Sequence, residues 1–588
     1  MKEFFKYVLA TFVALICVAV FLFFVTVAVL GSMMATQDST PKLKEGTILR
    51  MDLSGIIQER SEENPLAELL GKDELSSVGL DDMIKAVKVA KTNENIKGIY
   101  LDCGMLGADH ATLQELRKAL LDFKTSKKFI IAYADSYVQG AYYLASVADK
   151  VYMNPKGMLD WHGIASQPIF YKDLLDKVGV KMQVFKVGTF KSAVEPFILT
   201  GMSDANREQV TSFVNDIWNG VCQEVAASRK ISVDSLNQYA DRYIMAEEPE
   251  NFVRMKMIDS LTYVDGLRDV LRAASGKEKN RFISVTDLAK LYKEPKASDK
   301  VAVYYAQGNI VDDAASNPMN SSQLEIVGSK VVEDLDKLAK DDHVKAVVLR
   351  INSGGGSAYA SEQMWHAVQL LKAKKPVVVS MSGMAASGGY YMSCGADYIF
   401  AEPSTLTGSI GIFGMIPDAS GLLKNKLGLH FDVVKTNKAS DFGAMGRGFN
   451  ADESAAMQQF VNRGYKLFLQ RVADGRGMKP EDVDKIAQGR VWTGNQALKI
   501  KLVDQLGTLD DAVAEAAKRA KLGEYAVMQA PAKDSWTDRF LSETIKPDYL
   551  EQKLQSCLGE YYEPLRFVST LDGRPELQAR MFFVPNLK

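Results

Sequence analysis

The sequence predicts an α/β fold in which two tandem copies of one domain follow an N-terminal membrane-crossing helix. Three observations carry that prediction. An uncharged, almost wholly apolar stretch runs from Tyr7 to Leu30. A shift of 248 positions lays Gly98–Ile164 on Ala346–Ile412 without a gap. Within each copy, runs rich in Val and Ile alternate with stretches of helical apolar spacing, the pattern of a largely parallel sheet covered by helices.

The N-terminal stretch comes first. After Lys2 and Lys6 nothing up to Gln37 is charged, and roughly 20 apolar residues suffice to cross a bilayer. A cleavable signal has an apolar core of about 7 to 15 residues, so residues 1–37 are expected to be an uncleaved anchor. The two lysines would hold the N-terminus in the cytoplasm and send the rest of the chain across. The alternative is a signal cleaved near Met34-Ala35, which would release the domains.

The remainder is globular and long enough for two or more cores, with 588 residues, 47% apolar and 24% charged. A formal net charge of −2 gives no footprint for nucleic acid. Cys17, Cys103, Cys222, Cys394 and Cys557 are scattered singly, with no CxxC pair and no metal-like cluster with His. They read as small buried apolar residues, and neither a metal nor another cofactor is expected.

The repeat sets the organisation. GIYLDCGMLG falls on AVVLRINSGG, QGAYYLASVAD on SGGYYMSCGAD, and LDWHGI on TGSIGI. With slight slippage DLLDKVGV pairs with GLLKNKLGL, FVND with FVNR, and IDSL with VDQL. The copies are expected at 47–296 and 297–525. The tail, 526–588, has no repeat partner; its Pro, charged and aromatic residues suggest an extended arm or a packing extension.

In the second copy, Val301–Gln307, Val344–Ile351 and Pro376–Ser380 read as strands, and Ser361–Lys372 and Ser387–Gly395 as helices. Asp452–Ala473 and Thr508–Ala520 read as amphipathic helices that end the copy.

The two copies differ where chemistry would sit. The Val347–Ile351 run leads into Asn352-Ser353-Gly354-Gly355-Gly356-Ser357, whose glycines let backbone N–H groups point at a ligand. The Pro376–Ser380 run leads to Ser387-Gly388-Gly389, where a helix begins. A hydroxyl there is surrounded by free backbone donors, and the Gly388 amide with one from the glycine loop could hold an oxyanion. In the first copy Gln139 stands for Ser387, Leu106 and Ala108 for Gly354 and Gly356, and Trp161 for Ser409.

A nucleophilic serine needs a base, and none lies near Ser387 in sequence. His366 falls opposite the apolar stripe of Met364, Val368 and Leu371, so it is expected to be exposed. His110 and His162 belong to the degenerate copy, and His343 and His430 sit among charged or loop residues. Lysine is the other choice. Bringing a Lys from about 10.4 to near 7 costs roughly 4 kcal/mol, which burial against apolar neighbours can impose. The candidate is Lys191 in VGTFKSAVEPF, whose register in the second copy falls near Ala439 or Ser440. Each copy would then keep one half of a dyad.

At this point the chain resembles the long, duplicated form of the signal peptide peptidase A (protease IV) family, relatives of the Clp protease and crotonase superfamily. The resemblance covers about residues 1 to 525. It rests on the N-terminal anchor, VGTFKSAVEPF, INSGGGS, GMAASGGYYMS and PSTLTGSIGIFG. It implies a Clp/crotonase-like fold for each copy, Ser387 as nucleophile and Lys191 as general base. It also implies that Ser409 hydrogen-bonds the lysine and that the backbones of Gly388 and Gly356 donate to the oxyanion. Two departures stand out. Gly354 occupies the proline position of the family's Ser-Pro-Gly-Gly loop, and Phe190 replaces a tyrosine.

The resemblance further implies a membrane-anchored serine endopeptidase degrading remnant signal peptides and other apolar membrane peptides. Its single-pass anchor would lie in a bacterial-type inner membrane with the catalytic domains on the extracytoplasmic side. A bowl-shaped homotetramer, in which the halves of one chain meet at each dyad, is implied as well. Two rival readings remain. A catalytically inactive membrane scaffold would keep only the fold. A crotonase-type acyl-CoA enzyme would need carboxylates near the glycine loops, where only Glu362 is present, at a poor position.

Overall fold

The computed structural model of the chain describes residues 6–7, 18, 20–21, 41–61, 78–313, 324–533 and 578–580. The expected anchor, residues 1–37, lies almost wholly outside them. Among the described residues no helix is long and apolar enough to cross a membrane.

Two sheets repeat the same order of parallel strands, the second extended by Leu406–Gly408 beside Val377–Ala386 and by Val491–Thr493 antiparallel to Leu406–Gly408. In the first, Thr47–Gln58, Ile96–Gly107, Phe129–Ala134, Lys150–Met153 and Ser260–Leu261 are neighbours in turn, with Arg281–Ile283 added beside the first strand. In the second, Lys300–Gln307, Val344–Ser353, Val377–Ala386, Tyr398–Ala401 and Gln505–Leu506 follow the same path, with Ala526–Ala530 added at the edge. An offset of 248 takes Ile96 to Val344, Phe129 to Val377 and Lys150 to Tyr398. The central strands bury both faces, and so they read as continuous Val and Ile runs instead of alternating ones.

The expected elements are present with small changes at their ends. Helices Ala358–Lys372, Gly388–Ser393, Ala451–Arg476 and Leu509–Arg519 occupy the four stretches of helical spacing. Ser357 opens the first of these by accepting from Ala360 N–H at 3.1 Å. His366 is exposed on it, and Cys103, Cys222 and Cys394 are free, buried thiols.

A third, mixed sheet was not expected. Its order is Glu325–Val327, Asn309–Val311, Gly355–Ser357, Gln578–Arg580, Phe413–Asp418, Lys181–Lys186. Lys181–Lys186 precedes residue 297 in the chain, yet it pairs antiparallel with Phe413–Asp418. This strand carries the lysine motif that follows it into the other copy. A buried ion cluster also joins the copies: Arg350 Nε donates to Glu59 at 2.8 Å, its Nη2 to Glu115 at 2.6 Å and its Nη1 to Ser380 Oγ at 2.9 Å.

Candidate active site

Ser387 sits at the sharp turn between the Val377–Ala386 strand and the helix Gly388–Ser393, with φ 54° and ψ −112°. Few non-glycine residues adopt such a backbone, and it costs of order 1–3 kcal/mol where it is held. The Ser387 N–H holds it by donating to the Gly408 carbonyl at 2.9 Å. Because Gly388 opens the helix, its own N–H has no intrahelical acceptor.

The glycine loop lies against this turn. Gly355 has φ 97°, and a side-chain carbon built on it would fall 2.7 Å from Gly388 N. Glycine is therefore required there. Gly355 N–H donates to Ser353 Oγ at 3.1 Å. Gly356 is the middle residue of the Gly355–Ser357 strand, paired with Ile310 on one side and Ala579 on the other.

Lys191 comes to Ser387 from the other copy. Its Nζ lies 2.8 Å from Ser387 Oγ, 3.0 Å from the Ser409 carbonyl oxygen and 3.1 Å from Ser409 Oγ. Lys191 is 1% exposed and Ser387 fully buried. Burial alone pulls the ammonium down to about 7, with no carboxylate nearby to hold its charge. A neutral amine at this position has two N–H groups for the Ser409 oxygens and a lone pair for the Ser387 hydroxyl. The arrangement can take a proton from a serine hydroxyl near neutral pH.

Several residues that hold the lysine were missed by the sequence reading. Glu195, four positions on, is buried and accepts from Ser203 Oγ at 2.6 Å and Asn206 Nδ2 at 2.9 Å, which ties the motif to the start of helix Asp204–Arg229. Gln209 on that helix donates to the Phe190 carbonyl at 3.0 Å, while its Oε1 accepts from Val491 N–H at 3.1 Å. Phe190 N–H donates to the Gln488 carbonyl at 2.8 Å, and a side chain on Gly489 would fall 2.6 Å from Lys191 Cα. Only the glycines carry a local signal; the others are ordinary polar residues until the fold sets them against the motif.

The first copy shows the same turn filled in. Gln139 Oε1 accepts from His162 N–H and Gly163 N–H, both at 3.1 Å, and its Nε2 donates to the Gly163 carbonyl at 3.0 Å. Trp161 is buried, with its indole N–H on the Leu236 carbonyl. Of the remaining histidines, His110 is buried and lowered to about 3, while His162, His343 and His430 are exposed. No histidine approaches Ser387, and no cluster able to hold a metal occurs among the described residues.

Comparison with known proteins gives the family. Peptidase family S49 is matched twice, over residues 122–278 and 369–523, and the Clp protease family over residues 319–405. Protease 4 of Salmonella typhi is 38% identical over 523 residues, 86% of this chain and 83% of that one. Protease 4 of Haemophilus influenzae is 34% identical over 542 residues, 88% of this chain and 86% of that one. The chloroplastic serine protease SPPA of Arabidopsis thaliana is 28% identical over 489 residues, 82% of this chain and 70% of that one. With two matched copies and relatives alike over most of their length, the chain belongs to peptidase family S49 and is a serine protease.

Proposed function

We propose that Ser387 is the nucleophile and Lys191 the general base of a signal peptide peptidase that hydrolyses remnant signal peptides through an acyl-enzyme. The observation that carries this reading is the 2.8 Å approach of Lys191 Nζ to Ser387 Oγ in a buried site. Neutral Lys191 takes the hydroxyl proton as Ser387 Oγ adds to the peptide carbonyl carbon. The oxyanion is held by the N–H of Gly388 and by a second donor from the glycine loop, assigned to Gly356. The C–N bond then breaks and the Lys191 ammonium protonates the leaving amine. Lys191 next takes a proton from water as the water oxygen adds to the ester carbon; the C–O bond to Ser387 then breaks, the Lys191 ammonium returns the proton to Ser387 Oγ, and the acid leaves. Ser409 orients the amine through its hydroxyl and carbonyl.

The surrounding assignments follow the same reading: an anchor over 1–37, copies at 47–296 and 297–525 supplying base and nucleophile, and an extension over 526–588. A single-pass anchor in an inner membrane, with the catalytic copies outside the cytoplasm, would place enzyme and substrate in one two-dimensional phase and raise their effective concentration. A homotetramer completes the proposal. Labelling with a serine-reactive acyl phosphonate and mapping the adduct tests the site. The expected result is one adduct on Ser387 that disappears in Ser387→Ala; an adduct elsewhere with Ser387 unlabelled would overturn the assignment.

A further inference from the structure

The segment Gln488–Trp492 receives both halves of the site. Gln488 takes the lysine motif, its carbonyl accepting from Phe190 N–H at 2.8 Å. Gly489 packs against the Lys191 backbone, and its N–H donates to the Ile410 carbonyl at 2.8 Å. The Arg490 carbonyl accepts from Ser409 N–H at 2.7 Å, and Val491 pairs antiparallel with Gly408, whose carbonyl holds the Ser387 turn. The main chain of Arg490 and Val491 is thus committed to the serine side of the site.

The side chain of Arg490 serves the lysine side. Its guanidinium carbon sits 4.7 Å from the centre of the Phe190 ring and 4.5 Å from that of Trp492. Phe190 immediately precedes Lys191. Trp492 is two residues beyond Arg490 and is fixed by its indole N–H on the Ile486 carbonyl at 2.9 Å. One cation therefore meets a ring from each copy. A guanidinium stacks on aromatic faces and is more weakly hydrated than an ammonium, so it suits such a place. Arg490 Nε is buried with no hydrogen-bond partner among the described residues. Nη1 pairs at 2.8 Å with Glu208, whose side chain is 59% exposed, and an ion pair so open to water holds little. The rings are left as the main hold. The first copy has no such clasp: where VDQL is laid on IDSL, Met245 stands for Arg490 and Glu247 for Trp492.

We propose that Arg490 is a positioning residue, which by stacking between Phe190 and Trp492 holds the lysine motif of the first copy against the strand that fixes Ser409 and the Ser387 turn. The inference rests on the reading of Lys191 as the base for Ser387. Without the clasp Phe190 loosens, Lys191 drifts from Ser387 Oγ and water reaches its amine. Drift lowers kcat. Water undoes part of the burial that draws the ammonium down, so the rate then needs a higher pH.

The test is hydrolysis of a short fluorogenic peptide amide by the full-length chain across the pH range, with active sites counted by acyl-phosphonate titration. Arg490→Met should lower kcat per titrated site by about tenfold with KM within about twofold of wild type. It should also move the midpoint of the pH profile upward by about half a pH unit or more. Arg490→Lys keeps the charge without the plane and should fall between the two. Phe190→Leu should match Arg490→Met, and the double variant should be no worse than the poorer single, because both remove one contact. Glu208→Gln should change neither kcat nor the midpoint. If Arg490→Met does not fold, Phe190→Leu and Arg490→Lys carry the same comparison. An unmoved midpoint in the Arg490 and Phe190 variants would make the clasp merely structural and overturn the proposal, as would losses that multiply in the double variant. Activity that survives Lys191→Ala would instead bring down the reading of the site itself.

Discussion

Lys191 Nζ and Ser387 Oγ lie 2.8 Å apart although 196 positions separate them in the chain. Neither copy contains the pair. The proximity depends on a strand, Lys181–Lys186, that leaves its own copy and joins a sheet of the other.

Replacing either member of that pair should stop hydrolysis. Ser387→Ala and Lys191→Ala are each expected to lower kcat/KM for an apolar peptide amide by about a thousandfold or more, with the far-ultraviolet circular dichroism unchanged. His366→Ala, on an exposed helix face, should leave the rate within twofold of wild type, roughly the noise of a surface substitution.

The rate should follow the lysine. With Lys191 drawn down to about 7 by burial, the active neutral amine is scarce at pH 5 and dominant at pH 9, so kcat/KM should climb through a midpoint near neutrality. A profile flat across that range would show that no group with this titration is required.

The same depressed value has a cost in stability. The folded pKa lies below the unfolded one, so between about 7 and 10.5 the unfolded chain binds the extra proton and stability rises with pH across that window. Lys191→Met should therefore be more stable than wild type at pH 7, by up to about 4 kcal/mol. Denaturant titrations at pH 7 and pH 10 should show the gap closing as pH rises.

Gly489 is a sharper probe of how the lysine is held. Its φ is 79°, and a β-carbon would meet Lys191 Cα at 2.6 Å, a backbone contact that cannot swing aside. Gly489→Ala should lose about 1–3 kcal/mol of stability and most of its activity, read as a lower Tm together with a lower kcat.

Arg350 tests the seam between the copies. Arg350→Met strands the Glu59 and Glu115 carboxylates in the interior and should cost about 3–5 kcal/mol. Changing all three to apolar residues should recover much of that loss, which paired Tm measurements on the single and triple variants would show.

Much of the scaffold was legible because the residues that build it speak locally. Val344–Ser353 and Val377–Ala386 are largely buried on both faces and so carry runs rich in Val and Ile, and the repeat confirmed each against its counterpart. Ser387 stood out against Gln139, and Lys191 against Ala439 and Ser440. The third sheet did not stand out. Gly355–Ser357 and Gln578–Arg580 are three-residue strands, too short for a period-two pattern, and their partners lie far away in sequence. Glu195, Gln209 and Arg350 look like ordinary polar residues until the fold buries them. Glu195 is tied to Ser203 and Asn206 across a turn, while Gln209 reaches Val491 and Arg350 reaches Glu59 and Glu115 in the distant half of the chain, and a single sequence has no register for such contacts.

The division of the site between two copies also sets a timetable. In the proposed mechanism the base is synthesised 196 residues before the nucleophile, and Ser409 follows later still. Until then a growing chain holds only the first copy, whose own turn is filled by Gln139. On that mechanism cutting power arrives only when the second copy closes on Lys191. On that reading a chain truncated between the copies has a base and no nucleophile, and a protease whose synthesis fails partway leaves nothing behind that can digest its neighbours.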